Sequence, residues 1–92
     1  MAKRLSITGV VQGVGYRASF RIEARALKLS GWVRNRLDGS VEATVSGENA
    51  ALDKIIDWSR HGPPGARVRE VSIADMDDAA VTNGTFKILP TE

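Results

Sequence analysis

The sequence Gly9-Val10-Val11-Gln12-Gly13-Val14-Gly15-Tyr16-Arg17 joins an apolar, strand-like run to a helical pattern. Two glycines standing close together, Gly13 and Gly15, let the backbone turn sharply and direct several N–H groups into one concavity. Arg17 falls at the start of the following helix, where its guanidinium can reach the mouth of that concavity. Backbone amides, a helix N-terminus and a guanidinium together predict a site for a phosphate or a similar dianion.

The residues on either side of this loop predict a strand and a helix. Leu5–Val11 alternates at first and then becomes more apolar, which is typical of a strand that is buried towards its end. From Tyr16 to Leu29, apolar residues recur at helical spacing, and Arg21, Arg25 and Lys28 form a charged row. Ser30-Gly31 is predicted to end this helix, since glycine commonly stands just past a helix.

The rest of the chain predicts four more elements. Asp38-Gly39 is a strong hairpin signal. Gly62-Pro63-Pro64-Gly65 ends a second helical pattern. The expected elements are a second strand at Trp32–Arg36, a third at Ser40–Ser46, a second helix at Glu48–His61, a fourth strand at Val68–Asp75, and a short last strand at Phe86–Ile88 after an Asn83-Gly84 turn.

This order of elements, β-α-β-β-α-β with one terminal strand, predicts the α+β class and the ferredoxin-like split β-α-β fold. Two helices then pack on one face of a mostly antiparallel sheet of four to five strands, in a single domain over residues 1–92. The first two strands run parallel, with the third antiparallel between them, so their C-terminal ends lie at one edge. We therefore expect the loop before Arg17 to meet Asn35 at that edge.

Composition excludes several kinds of chemistry. The 92-residue chain has no cysteine and a single histidine, His61, which excludes disulfides and thiolate catalysis and argues against a multi-histidine metal centre. No apolar run reaches the 18 residues of a membrane span, and nothing near Met1 resembles a signal peptide. These features predict a cytoplasmic monomer with no metal, no other cofactor and no membrane partner.

The net charge of +2 hides an asymmetry between the two parts of the chain. Residues 1–36 carry a net charge of +7, and residues 37–92 carry −5. The basic part contains the glycine loop, which favours an anionic ligand there. Solvated arginines on a helix face account for part of this excess. The basic residues before position 37 are Lys3, Arg4, Arg17, Arg21, Arg25, Lys28, Arg34 and Arg36.

Two spaced motifs carry a resemblance to a known family. Residues 9–17, followed by Gly31-Trp32-Val33-Arg34-Asn35-x-x-Asp38-Gly39-Ser40-Val41-Glu42, resemble the paired signature of the acylphosphatases. Gly62-Pro63-Pro64-Gly65-Ala66-Arg67-Val68 resembles the loop before the fourth strand of that family. The resemblance covers nearly the whole chain. It implies an enzyme that hydrolyses the small-molecule class of acyl phosphates to a carboxylate and inorganic phosphate without a metal.

The resemblance also implies roles for individual residues. Arg17 would bind the phosphoryl group and Asn35 would position the attacking water. The phosphate cradle would consist of the backbone amides of Gln12, Gly13, Val14, Gly15, Tyr16 and Arg17. Three departures from the family pattern are Val10, where a basic residue is frequent, Tyr16, where phenylalanine is usual, and Leu37, where proline is frequent.

The chemistry of an acyl phosphate agrees with the residues available. Its leaving group is a weakly basic carboxylate, so a dedicated general acid can be absent. Phosphoryl transfer depends mainly on positioning and on electrostatic stabilisation, which an amide loop, an arginine and a carboxamide can supply. An oxygen of the substrate itself is a hypothetical proton acceptor.

Three alternatives to a free-standing enzyme remain at this point. The loop could bind phosphate or a phosphorylated metabolite without turnover. The fold also hosts RNA-recognition modules, but those need aromatic residues on the two central strands, and Leu5–Val11 and Ser40–Ser46 contain none. We therefore expect no nucleic-acid partner. The chain also resembles the acylphosphatase-like domain of larger carbamoyl-transfer proteins.

Other conspicuous residues have simpler interpretations. Trp32 and Trp58 are expected to pack in the core or at its rim, and His61 to interact with a helix C-terminus. Arg34 and Arg36 alternate with Asn35 along a strand, so they are expected on the opposite face or at the rim. The acidic residues Asp75, Asp77 and Asp78 are expected in a solvated loop.

Overall fold

The computed structural model describes residues 1–77 and 84–92, which form five strands and two helices. In chain order these are β1 (Ala2–Val10), α1 (Tyr16–Ala26), β2 (Ser30–Asn35), β3 (Val41–Ser46), α2 (Asn49–Ser59), β4 (Arg67–Met76) and β5 (Phe86–Ile88). The order of elements agrees with the order predicted from sequence. Asn83 of the predicted Asn83-Gly84 turn lies outside the described residues. So does Asp78 of the predicted acidic loop.

The five strands form one sheet in the order β4-β1-β3-β2-β5. Central strand β3 is antiparallel to both β1 and β2, so β1 and β2 run in the same direction, as predicted. β4 is the outer strand beside β1 and pairs antiparallel with it, and β5 is the outer strand beside β2 and pairs parallel with it. The C-terminal ends of β1 and β2 therefore lie at the same edge of the sheet.

Both helices cover one face of the sheet and enclose a continuous apolar core. Alternation along the strands directs one side chain in two towards the helices, and most core positions are fully buried because both layers contribute to them. At its centre, the ring centroids of Phe20 and Phe86 lie 5.6 Å apart, and Trp58 packs against Phe20 at 5.7 Å. The buried core includes Leu5, Ile7, Val11, Tyr16, Phe20, Val33, Val41, Val45, Leu52, Ile55 and Phe86.

The boundaries of several elements differ from the sequence prediction. β1 ends at Val10, because the register with β4 shifts between Thr8 and Gly9 and Val11 leaves the sheet to enter the core. β4 extends to Met76, so Asp75 is a strand residue that pairs with Lys3 and is not part of a loop. β2, β3 and α2 are shifted or shortened by one or two residues, as frayed ends commonly are.

The end of α1 differs from the prediction for a physical reason. The helix stops at Ala26 and not at Leu29. The N–H of Leu29 donates to the carbonyl of Ala24 at 2.9 Å, and the N–H of Lys28 donates to that of Arg25 at 3.0 Å. These two bonds form a Schellman cap, whose left-handed position is taken here by Lys28 at φ 59°.

Gly31 does not terminate the helix but lies inside β2. Its φ is 137°, and a Cβ atom there would lie 1.8 Å from the carbonyl oxygen of Thr44. The glycine therefore allows the backbones of β2 and β3 to approach closely. A glycine is required at position 31, but the reason is the close approach of β2 and β3 and not the end of a helix.

Replacing Lys28 by glycine is expected to stabilise the protein. A residue with a side chain is destabilised by roughly 1–2 kcal/mol in the left-handed conformation. Glycine avoids this strain but recovers only part of the energy, because it makes the unfolded chain more flexible. We expect Lys28→Gly to raise the free energy of unfolding by about 0.5–1 kcal/mol in urea titration. Ala26→Gly, at the last helical residue, serves as the control and should lower it. Destabilisation by Lys28→Gly would contradict this account of the cap.

Candidate functional site

A cavity of about 210 Å³ opens at the sheet edge where β1 and β2 end. It brings Arg17 and Asn35 together, although these residues are 18 positions apart in the sequence. Most of the glycine loop contributes to its wall. The lining residues are Val11, Gln12, Gly13, Gly15, Tyr16, Arg17, Ala18, Asn35 and Ile88.

The loop before α1 has a backbone conformation that leaves N–H groups available as hydrogen-bond donors. Gly13 and Gly15 have φ angles of 77° and 78°, in the left-handed region, and a Cβ atom at either would meet no neighbour within 4 Å. Glycine is therefore needed here for its conformation and not for space. Gly15 caps α1 without any side-chain hydrogen bond, and the first turn contains no acidic residue. The N–H groups of residues 16–18, in the first turn of α1, have no intrahelical acceptor, and such groups favour a nearby anion.

Arg17 places a positive charge at the same point. Its side chain is half-buried in the cavity wall and forms no ion pair within residues 1–77 and 84–92. It is the second residue of α1, so its guanidinium adds to the positive end of the helix dipole. A guanidinium can donate two parallel hydrogen bonds to a phosphoryl group. The cavity therefore combines the three features that favour a tetrahedral oxyanion.

Asn35 is the last residue of β2, and its carboxamide is not committed to the protein. The backbone pairs with Val41 of β3, which fixes the position of the Cα atom. Its Oδ1 is buried and has no hydrogen-bond partner among the described residues. An unpaired buried polar atom costs about 1–3 kcal/mol, and such atoms concentrate where a ligand will use them.

The side chain of Gln12 has a role that the sequence did not indicate. Its Nε2 donates to the carbonyls of Arg36 and Ser40, at 2.8 and 2.9 Å. The sequence motif implied a role only for its backbone amide, because a glutamine side chain in a loop has many possible partners. Val14, also predicted in the cradle, is not part of the cavity wall, and its side chain packs against the core.

Tyr16 contributes its backbone to the site and its ring to the core. The ring is 1% exposed, and its hydroxyl donates to the carbonyl of Ser59 at 2.7 Å. Burial raises the pKa of the Tyr16 phenol well above its ordinary value. This bond ties the start of α1 to the end of α2. The hydroxyl that distinguishes tyrosine from phenylalanine thus connects the two helices and bonds to a residue outside the cavity wall.

The two arginines that flank Asn35 lie outside the cavity, as the alternation along β2 predicts. Arg34 donates to Glu42 at 2.8 Å, and Arg36 does so at 3.3 Å. Arg4 pairs with the same carboxylate, which is 3% exposed on the open face of the sheet. The guanidinium of Arg34 also lies 4.7 Å from the ring centroid of Trp32. This cluster braces β1, β2 and β3 on the side opposite the helices.

Glu42 makes the stability of the sheet depend on pH. Burial alone would raise its pKa, but the hydrogen bond from Arg34 and the charges of Arg4 and Arg34 outweigh burial and hold the pKa below its ordinary value. A lowered carboxyl pKa in the folded state stabilises the protein above about pH 4.3, the value for an unfolded chain. That contribution is lost as the pH falls through the lower folded pKa.

We therefore expect Glu42→Gln to be less stable than the original protein at neutral pH and to show a shallower loss of stability below about pH 4.3. The measurement is urea unfolding at a series of pH values from neutral to acid. Glu48→Gln, whose side chain is exposed before α2, serves as the control. Parallel curves for Glu42→Gln and the original protein would contradict this assignment.

A larger cavity, of about 450 Å³, lies at the other end of α1 beside Arg25 and Lys28. The guanidinium of Arg25 is already used there, because it donates to the carbonyl of Phe86 at 3.1 Å. His61 also has a structural partner, since its Nδ1 lies 3.0 Å from the carbonyl of Asp57 near the end of α2. Neither place lies at a helix N-terminus, where backbone N–H groups lack intrahelical acceptors.

Fold and cavity together define an α+β protein of the ferredoxin-like class, with Arg17, Asn35 and the glycine loop lining one cavity. A family model described as Acylphosphatase matches residues 3–88. An acylphosphatase of Azoarcus sp. (strain BH72) is 53% identical over 91 residues, which are 98% of this chain and 90% of that protein. The crystal structure of acylphosphatase from Bacillus subtilis matches with a TM-score of 0.86 at 33% identity, over 96% of this chain and 97% of that one. The chain belongs to the acylphosphatase family.

The same fold also occurs within a longer protein. The crystal structure of full-length HypF in the phosphate- and nucleotide-bound form matches with a TM-score of 0.86 at 27% identity. That match covers 98% of this chain and 12% of HypF.

Two further observations concern the described part of the chain. Neither α1 nor α2 is long and apolar enough to cross a membrane. Across residues 1–77 and 84–92, no three histidine, cysteine, aspartate or glutamate side chains come together as a metal site would require.

Proposed function

We propose that the protein hydrolyses the carboxyl-phosphate bond of small acyl phosphates, with the phosphoryl group held by Arg17 and the loop amides and the water positioned by Asn35. The observation that carries this proposal is that Asn35 and Arg17 line the same cavity while, within residues 1–77 and 84–92, the Oδ1 of Asn35 has no hydrogen-bond partner and the guanidinium of Arg17 forms no ion pair. Family membership supports the reaction. The geometry supports the division of roles between these two side chains.

Phosphate binding follows from the entrance to α1. The free amides of the first helical turn and the adjacent loop donate to phosphoryl oxygens, and Arg17 neutralises their charge. Neutralisation matters because water must approach a phosphorus atom that carries negatively charged oxygens. Donors that are already in place stabilise the transition state without reorganising during the reaction.

Asn35 suits the second role because a carboxamide both accepts and donates hydrogen bonds without carrying charge. It can orient a water molecule towards phosphorus without adding repulsion. Its backbone lies within β2, so its Cα position is as fixed as the sheet itself. Restricting the water to one approach direction lowers the entropic part of the barrier.

The proton of the attacking water goes to the substrate in this scheme. No carboxylate or imidazole is among the described residues that line the cavity. Water adds to phosphorus, the bond from phosphorus to the acyl oxygen breaks, and the carboxylate leaves with that electron pair. A phosphoryl oxygen takes the proton, so the products are a carboxylate and dihydrogen phosphate.

Hydrolysis of benzoyl phosphate, followed by its absorbance, tests the activity directly. We expect turnover to continue in the presence of EDTA, since the residues proposed for the reaction need no metal. A protein that phosphate stabilises thermally but that hydrolyses nothing would support the binding-only alternative and contradict the proposal.

Substitution of the two principal residues should separate binding from chemistry. Arg17→Gln is expected to lower kcat/KM by roughly 10²–10³-fold and to weaken inhibition by inorganic phosphate, because one charged donor is lost. Arg21→Gln, one helical turn further along α1, is the matched control and should have little effect. Asn35→Ala should lower kcat by a similar factor and leave phosphate inhibition nearly unchanged. Full activity in a folded Arg17→Gln variant would refute these roles.

We also propose that the protein is a cytoplasmic monomer of one domain with no nucleic-acid partner. Its five strands share one sheet and one core, which supports a single domain. The cysteine-free chain needs no oxidising compartment to fold. Sedimentation analysis tests the monomer, and a binding assay with labelled single-stranded RNA at low salt tests the last point.

A further inference from the structure

We propose that the side chain of Gln12 is a positioning residue that holds Asn35 in register with the phosphate loop. This inference rests on the proposed function and adds a residue to it. Gln12 belongs to the loop before α1, whereas both of its acceptors belong to the hairpin between β2 and β3. One side chain therefore joins the element that binds phosphate to the element that carries Asn35.

The two acceptors lie immediately beside Asn35 on both strands of the hairpin. Arg36 follows Asn35 in the chain, and Ser40 precedes Val41, the residue that pairs with Asn35 across the sheet. The hairpin closes there by a bond from the N–H of Arg36 to the carbonyl of Ser40, at 2.8 Å. A displacement of this closure would move Asn35, because strand β2 ends there.

The orientation of the Gln12 carboxamide is unambiguous. Both of its contacts are carbonyl oxygens, so the atom that faces them must be the NH₂ group and not the amide oxygen. Both N–H bonds of that group are then used within the protein. The side chain has no donor left for a phosphoryl oxygen, and only its backbone N–H can serve the cradle. Its influence on the reaction must therefore act through the hairpin.

The expected consequence is a selective effect on the chemical step. Without the tether, the loop and Arg17 keep their contacts with phosphate, but the carboxamide of Asn35 is no longer held at one distance from phosphorus. Misplacement by about 1 Å can cost roughly a hundredfold in rate. The hairpin itself should remain folded, because the carbonyls of Arg36 and Ser40 keep other backbone donors, the N–H groups of Gly39 and Arg36.

The test is a double-mutant cycle between Gln12→Met and Asn35→Ala, with benzoyl phosphate as substrate. Methionine matches the length of glutamine and removes both hydrogen bonds. We expect Gln12→Met alone to lower kcat by about tenfold to a hundredfold, with KM and inhibition by inorganic phosphate changed less than about threefold. In the Asn35→Ala background the same substitution should change kcat less than about twofold, because the group being positioned is already absent.

Arg25→Met is the matched control, since it also removes a bond from a long side chain to a backbone carbonyl but lies at the far end of α1. It should leave kcat unchanged. Equal losses of kcat from Gln12→Met in both backgrounds, or a rise in KM in place of the fall in kcat, would overturn the inference. Absence of turnover in the original protein would instead overturn the proposed function.

A second variant tests the tether by pH. Gln12→Glu places a carboxylate against two carbonyl oxygens, which raises the pKa of the new carboxyl group, and its protonated form can donate one of the two bonds. The ratio of its kcat to that of the original protein should therefore increase as the pH falls from 7.5 towards 5. A ratio independent of pH would contradict the proposed tether.

Discussion

The antiparallel pairing of β3 with both β1 and β2 decides where the functional groups of this protein meet. A single strand does not determine which other strand end lies beside its own. Because β3 lies between the other two and opposes both, β1 and β2 end at the same edge of the sheet. The loop after β1 and the last residue of β2 therefore form one cavity. The burial of Glu42 among three arginines holds the same three strands together on the other face.

The two faces of the sheet have different roles, which explains how a small protein supports an exposed site. The helix-covered face buries the apolar core, whose burial is the main favourable contribution to the free energy of folding. At the end of that face, the bond from Tyr16 to Ser59 and the contact between the rings of Tyr16 and Trp58 anchor the first turn of α1. The N–H groups of this turn have no acceptor within the helix, and burial of the core offsets that cost.

Local sequence patterns predicted the elements well, and their boundaries less well. The order of strands and helices, the hairpin at Asp38-Gly39 and the short last strand at Phe86–Ile88 all agree with the structure. The end of α1 does not, because a lysine takes the left-handed position where glycine was expected further along. Gly31 shows the reason: its signal reflected the backbone of a neighbouring strand, and helical periodicity carries no information about that neighbour.

The sequence by itself determined the conformations that depend on adjacent residues: the glycine turn, the start of α1, the hairpin and the two motifs that identify the family. Only the tertiary structure decided which side chains meet across strands. Three contacts join residues far apart in the chain: Arg17 and Asn35 line one cavity, Gln12 donates to the hairpin, and Arg4 pairs with Glu42. The physical reason is that backbone preferences act over a few residues, whereas contacts between elements depend on strand register and on the packing of a common core.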